Sequence, residues 1–157
     1  MLTASSQPAP TSPAGAALRP PVAPRLSFVR WALSPTVATV PQVRARLRAV
    51  LEGWRVTPDV ADVLLLAVSE LASNAVQHAG DVTERLRVAV TLDGGQLQLE
   101  VDDGDPSLLC AAPEVDPDAE SGRGLMIVNL LVIEAGGALA VLPHDHGKTV
   151  RVRLPAL

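Results

Sequence analysis

Residues 85–92, RLRVAVTL, and 96–103, QLQLEVDD, stand on either side of Asp93, Gly94 and Gly95. Two β-type runs joined by such a turn have few options besides an antiparallel hairpin. In the second run Leu97, Leu99 and Val101 share one face, because alternate side chains of a strand point the same way. Asp103 continues that inward face and Asp102 points to the other. The hairpin should therefore end in two neighbouring carboxylates on opposite sides of a sheet.

Helices are predicted on both sides of this hairpin. Val43, Leu47, Val50, Leu51 and Trp54 fall at helical spacing in PQVRARLRAVLEGW, with Arg44, Arg46 and Arg48 turned away as a solvated face. Thr57, Pro58 and Asp59 form a start signal for a second helix, which runs through VADVLLLAVSELASNAVQHA until Gly80 stops it. Val60, Val63, Leu64, Ala67, Leu71 and Ala75 supply its apolar stripe. A third helix, GRGLMIVNLLVIEAGG, places Leu125, Val128, Leu131 and Val132 on its buried side.

RLSFVRWAL (25–33) reads as a first strand with Leu26, Phe28 and Arg30 on one face. ALAVL and KTVRVRL, with PHDHG between them, read as a terminal hairpin. Residues 104–121 show neither period, and a loop of this length inside a compact domain is usually functional or mobile. The expected class is α+β: a two-layer α/β sandwich with an antiparallel or mixed sheet and its helices on one face. A pocket is expected between the loop and the sheet.

The chain has 157 residues, enough for one domain with a full core. Residues 1–24, rich in Pro, Ala and Ser, are expected to form a disordered tail, since they hold too few large apolar side chains to offset the entropy of ordering. Residues 25–157 are expected to form the domain. A net charge of −4 gives no support for binding nucleic acid or a membrane surface. No stretch has the continuous apolar length of a membrane span, and the N-terminus lacks the features of a signal peptide. Cys110 is the only cysteine and cannot form an internal disulfide. A soluble, cytoplasmic protein is the expectation.

Three constellations carry chemistry. Glu70, Asn74 and His78 recur every four residues and form one row on the second helix. A carboxylate and a carboxamide one turn apart can act as a base beside an oxygen ligand for magnesium, although a polar helix edge has the same appearance. EVDDGDP places carboxylates at a strand end, where one of them can accept hydrogen bonds from an exocyclic amino group; a solvated turn has the same composition. SGRGLMIV puts glycines at a helix start, where backbone N–H groups and the positive helix end attract phosphate. HDH (144–146) has the spacing of a metal pair but lacks a third committed ligand.

ELASNAVQHA, VDDGDP, the long loop, GRGLMIV and GKTVRV follow one another in an order that resembles the GHKL class of ATP-binding domains. Within that class the resemblance is to the anti-sigma-factor serine/threonine kinases of the RsbW type and related actinobacterial regulators. It covers about residues 26–154. The resemblance implies a Bergerat ATP-binding fold with ATP and Mg²⁺ as ligands. Asn74 would hold Mg²⁺ and Glu70 would orient or deprotonate the attacking hydroxyl. The aspartate that reads the adenine amino group would be Asp102 by its D-x-G spacing or Asp103 by its strand position; parity favours Asp103. Gly122, Arg123, Gly124 and Leu125 match the phosphate-side motif, and Thr149 matches a threonine near the adenine.

The partners so implied are a sigma factor, a STAS-domain anti-anti-sigma protein, or both, with a homodimer common in the family. DPS replaces the glycine that usually follows the aspartate motif, and the loop is short of glycines. Nucleotide binding should survive these departures better than phosphoryl transfer. The alternative is thus a non-catalytic nucleotide- or partner-binding module of the same fold. A detached histidine-kinase catalytic domain ranks below both. His78 is expected to be a neighbour of the site, with no chemical role.

Overall fold

The structure is a computed structural model and describes residues 25–78, 81–106 and 120–156. The predicted tail, most of the 104–121 loop with Cys110, and the helix stop at Gly80 lie outside the described residues. Elements follow in the order β1 (Ser27–Leu33), α1 (Thr39–Gly53), α2 (Pro58–His78), β2 (Leu86–Asp93), β3 (Gln96–Asp103), α3 (Glu120–Glu134), β4 (Ala138–His144) and β5 (Gly147–Pro155).

The strands make one five-stranded sheet in the order β1-β2-β3-β5-β4. Every pairing is antiparallel, which resolves the choice between an antiparallel and a mixed sheet. Gly94 and Gly95 take φ of 55° and 80°, and Asp93 pairs with Gln96. Two successive positive φ values give the two-residue turn whose twist matches a hairpin. After α3 the chain returns as β4, and the β4–β5 hairpin places β5 beside β3. Asp103 is thereby brought into register with Lys148, and Asp102 with Thr149.

The three helices cover one face of the sheet. α2 packs against α1, α3, β3 and β5, so it is the central helix of that layer. Leu64, Ala67, Leu71 and Ala75 are buried along it as the apolar stripe requires, together with Leu65, Val68 and Ala72. Val88, Val90, Leu97, Leu99, Val150 and Val152 meet them from the sheet, and Val43, Leu47 and Leu51 from α1. Each fully buried Val or Leu stabilises the fold by about 1.5–3 kcal/mol.

The far face of the sheet is polar. Arg151 Nε donates to Glu100 at 2.7 Å and Arg153 Nε to Gln98 at 2.8 Å. In β1 the core-facing residues are Val29, Trp31 and Leu33, so the face predicted to carry Phe28 and Arg30 is this exposed one. Arg44 also departs from expectation. Its Nη1 bridges to α2, donating to Ser69 Oγ at 2.7 Å and to the Leu65 carbonyl at 3.2 Å. The long side chain reaches across the α1–α2 contact, a geometry that helical periodicity alone does not reveal.

α3 begins at Glu120, so Gly122 and Gly124 sit in its opening turns. Leu125, Val128 and Val132 are buried, while Met126, Ile127, Leu130 and Ile133 remain exposed. Among the described residues, no helix is long and apolar enough to cross a membrane.

Candidate functional site

α2 carries two of the predicted residues on one row. Glu70 is half-buried, and Asn74, one turn further on, is 7% exposed. Asn74 Nδ2 is buried without a hydrogen-bond partner among the described residues. An unpaired buried amide costs about 1–3 kcal/mol, so it is a place where a ligand repays its binding. Oxygen and nitrogen of a carboxamide exchange with little change of shape, so this end can present an oxygen to a hard cation. His78 is the last residue of α2, and its side chain lies outside the described ones.

Glu70 meets α3 at Gly124. A methyl group on Gly124 would overlap the Glu70 carboxylate, so the missing side chain is what lets the acid lie against the start of α3. The helix row and the glycine motif, far apart in sequence, are here one contact. Arg123 is exposed beside it. Leu125 packs in the hydrophobic core.

The end of β3 forms a second polar cluster. Asp103 is 6% exposed, and Lys148, opposite it on β5, is 2% exposed. Lys148 Nζ lies 3.2 Å from Asp103 Oδ1, donates to the Asp105 carbonyl at 3.1 Å and stands 3.7 Å from Asp105 Oδ2. The Asp105 N–H donates to Asp103 Oδ1 at 2.9 Å. Burial pushes the Asp103 carboxyl above its ordinary value, against the Asp105 N–H and the Lys148 ammonium, which pull it down.

The turn after Asp103 is held from both sides. Gly104 N–H donates to the buried Thr83 Oγ1 at 2.9 Å, and a side chain on Gly104 would run into the Val82 carbonyl. Gly147 has φ of 142°, and a side chain there would collide with the Asp103 carbonyl. Only glycine combines that backbone angle with so close an approach.

Asp102 and Thr149 lie on the other face. Thr149 Oγ1 hydrogen-bonds Asp102 Oδ2 at 3.1 Å, and His144 Nε2 lies 3.2 Å from the same oxygen. The structure therefore separates Thr149 from the Asp103 side of the sheet, because β5 alternates as β3 does. His144 Nδ1 accepts from the His146 N–H at 3.2 Å. Among the described residues no group of three or more His, Cys, Asp or Glu side chains could hold a metal ion.

Lys148 and Asp105 are the residues that sequence reasoning missed. The signal for Lys148 was available: it alternates with Val150, Val152 and Leu154, all buried. A lysine on the buried face of a strand is there to meet a charge.

The profile of the histidine kinase-like ATPase domain matches residues 33–154. No curated protein matches the sequence. Among solved structures, that of the RsbU and RsbW domains of Rv1364c from Mycobacterium tuberculosis is similar, with a TM-score of 0.61 and 23% identity over 82% of this chain. The match spans 32% of the chain in that structure, so this chain corresponds to about a third of it. The histidine kinase domain of the Erythrobacter litoralis EL346 blue-light-activated kinase has a TM-score of 0.49 and 20% identity, covering 76% of this chain and 60% of that one. The first of these likenesses shows a shared GHKL-type fold: three helices on an open antiparallel sheet. The family match over residues 33–154 implies ATP binding, and the chain belongs to the histidine kinase-like ATPase domain family.

Proposed function

We propose that this domain is an ATP- and Mg²⁺-binding regulator of the anti-sigma type. It transfers the γ-phosphoryl group of ATP to a serine or threonine of a STAS-domain anti-anti-sigma partner. The observation that carries the reading is the seating of the Glu70 carboxylate against Gly124, with the unpaired Asn74 amide one turn away. An acid at the start of a glycine-containing helix stands where a hydroxyl nucleophile and a phosphate are brought together.

Glu70 orients the partner's hydroxyl and accepts its proton at a carboxylate oxygen. The hydroxyl oxygen forms a bond to the γ-phosphorus as the bond to the β–γ bridging oxygen breaks, leaving ADP. Asn74 is the residue that would hold magnesium, whose charge neutralises the phosphate oxygens when it is bound. The first turns of α3, with Gly122, Arg123 and Gly124, receive the phosphates, and Asp103 accepts from the adenine amino group.

The test is phosphate transfer from ATP to a cognate STAS protein. Glu70→Ala is expected to lower the rate by about 10²–10⁴-fold with ATP affinity kept. Gly124→Ala should displace the carboxylate and slow transfer, and the pair Glu70→Ala with Gly124→Ala should be no slower than Glu70→Ala alone. Unchanged transfer in Glu70→Ala removes Glu70 from the mechanism.

A second reading, binding without transfer, is favoured by the Asp105-Pro106 sequence standing where the family carries glycine. Tight ATP binding with no transfer to any STAS protein selects it.

A further inference from the structure

Lys148 is the chain's one lysine and is buried in a sheet. An ammonium has three donors. Asp103 Oδ1, the Asp105 carbonyl and Asp105 Oδ2 stand around Nζ at 3.2, 3.1 and 3.7 Å. Two of the donors are thus hydrogen-bonded, to Asp103 Oδ1 and to the Asp105 carbonyl, and the Asp105 carboxylate adds an ion-pair contact at 3.7 Å.

The two hydrogen bonds to Asp103 are asymmetric. Lys148 Nζ and the Asp105 N–H both converge on Oδ1. No described residue bonds Oδ2. A carboxylate held by one oxygen keeps its rotamer and offers the other as an acceptor of fixed direction.

We propose that Lys148 is the positioning residue of the base site: by holding Oδ1 it keeps Asp103 charged and aimed, so that Oδ2 alone reads the exocyclic amino group of adenine. This rests on the reading that the site takes ATP. A protonated acid would present a hydroxyl to that amino group and lose the acceptor. Burial drives Asp103 toward the protonated form, and Lys148 opposes it.

The other charge acting on Asp103 is the Asp105 carboxylate, which works against ionisation. The buried residues of β2 (Leu86, Val88, Val90) and of α2 carry no charge, and Glu70 is seated against Gly124. Lys148 is therefore the cation on which the ionised state depends.

The experiment is calorimetric titration of the full chain with Mg·ATP from pH 5.5 to 8.5, in wild type, Lys148→Met, Asp103→Asn and the double variant, with folding followed by circular dichroism. Carboxyl carbon-13 NMR of Asp103 is recorded over the same range without nucleotide. Lys148→Met is expected to bind ATP at least about tenfold more weakly near neutrality and to recover as pH rises, one pH unit of displaced titration being tenfold. On the Asp103→Asn background the lysine substitution should cost no further affinity.

In the NMR series the Asp103 titration should move to higher pH in Lys148→Met. If that variant does not fold, Lys148→Gln, which keeps a donor without the charge, takes its place. An Asp103 titration that does not move overturns the proposal, as does an affinity loss equal at every pH and undiminished by Asp103→Asn. A wild-type chain that binds no ATP refutes the nucleotide reading instead, while the NMR titration still decides the role of Lys148.

Discussion

Asp102 and Asp103 are neighbours in the chain and have little else in common. The Asp102 side chain, 29% exposed, faces the polar side of the sheet, where Thr149 and His144 meet it. Asp103 faces the helices, is buried and is paired with a buried lysine. A strand alternates its side chains, so one step along β3 separates a surface ladder from a candidate site. Residue type does not distinguish the two carboxylates; what stands opposite each on β5 does.

The contrast should first appear in stability. Asp103→Ala leaves Lys148 buried with only Asp105 to meet it, and breaking a buried pair on one side costs about 3 kcal/mol or more. Urea denaturation of this variant should show a large fall in midpoint at unchanged slope. A loss as small as that of a surface substitution would mean that the Asp103–Lys148 pair is not buried in solution.

The pH dependence is a smaller effect. The Asp103 carboxyl in the folded chain lies above its unfolded value, so the folded state holds the proton more tightly. Its contribution to stability is then fully present below the ordinary carboxylate value and is lost as pH rises through the folded one. The stability of wild type relative to Asp103→Asn should therefore increase as pH falls from neutral toward 4. The opposite slope would show that Lys148 outweighs burial.

The smallest effect belongs to the outer face. Asp102→Ala removes a half-exposed contact, and such pairs contribute about 0–1 kcal/mol. Thermal melts of Asp102→Ala and His144→Ala should lie close to wild type. A large shift in either would erase the distinction between the faces.

Much of this arrangement was legible in the sequence. Periodicity and turn signals marked the elements of the described residues, and the alternation of Leu97, Leu99 and Val101 singled out Asp103 as the inward acid. The same alternation on β5 would have revealed Lys148 and turned Thr149 outward, since Val150, Val152 and Leu154 fix its phase. The Glu70–Gly124 contact was not legible as a contact. It arises where α2 packs on α3, and helix packing is decided by the fit of whole faces rather than by local spacing. Arg44 was misread for the same reason: its bond to Ser69 belongs to the α1–α2 interface.

The central claim is that the inner face of β3 carries the carboxylate that reads the base. Calorimetric titration of Mg·ATP into wild type, Asp103→Asn and Asp102→Asn tests it most directly. A hydrogen bond to a charged group contributes about 1.5–3 kcal/mol, so Asp103→Asn should weaken binding by about ten- to a hundredfold while Asp102→Asn binds as wild type does. Lost affinity in Asp102→Asn with Asp103→Asn unchanged would contradict the account.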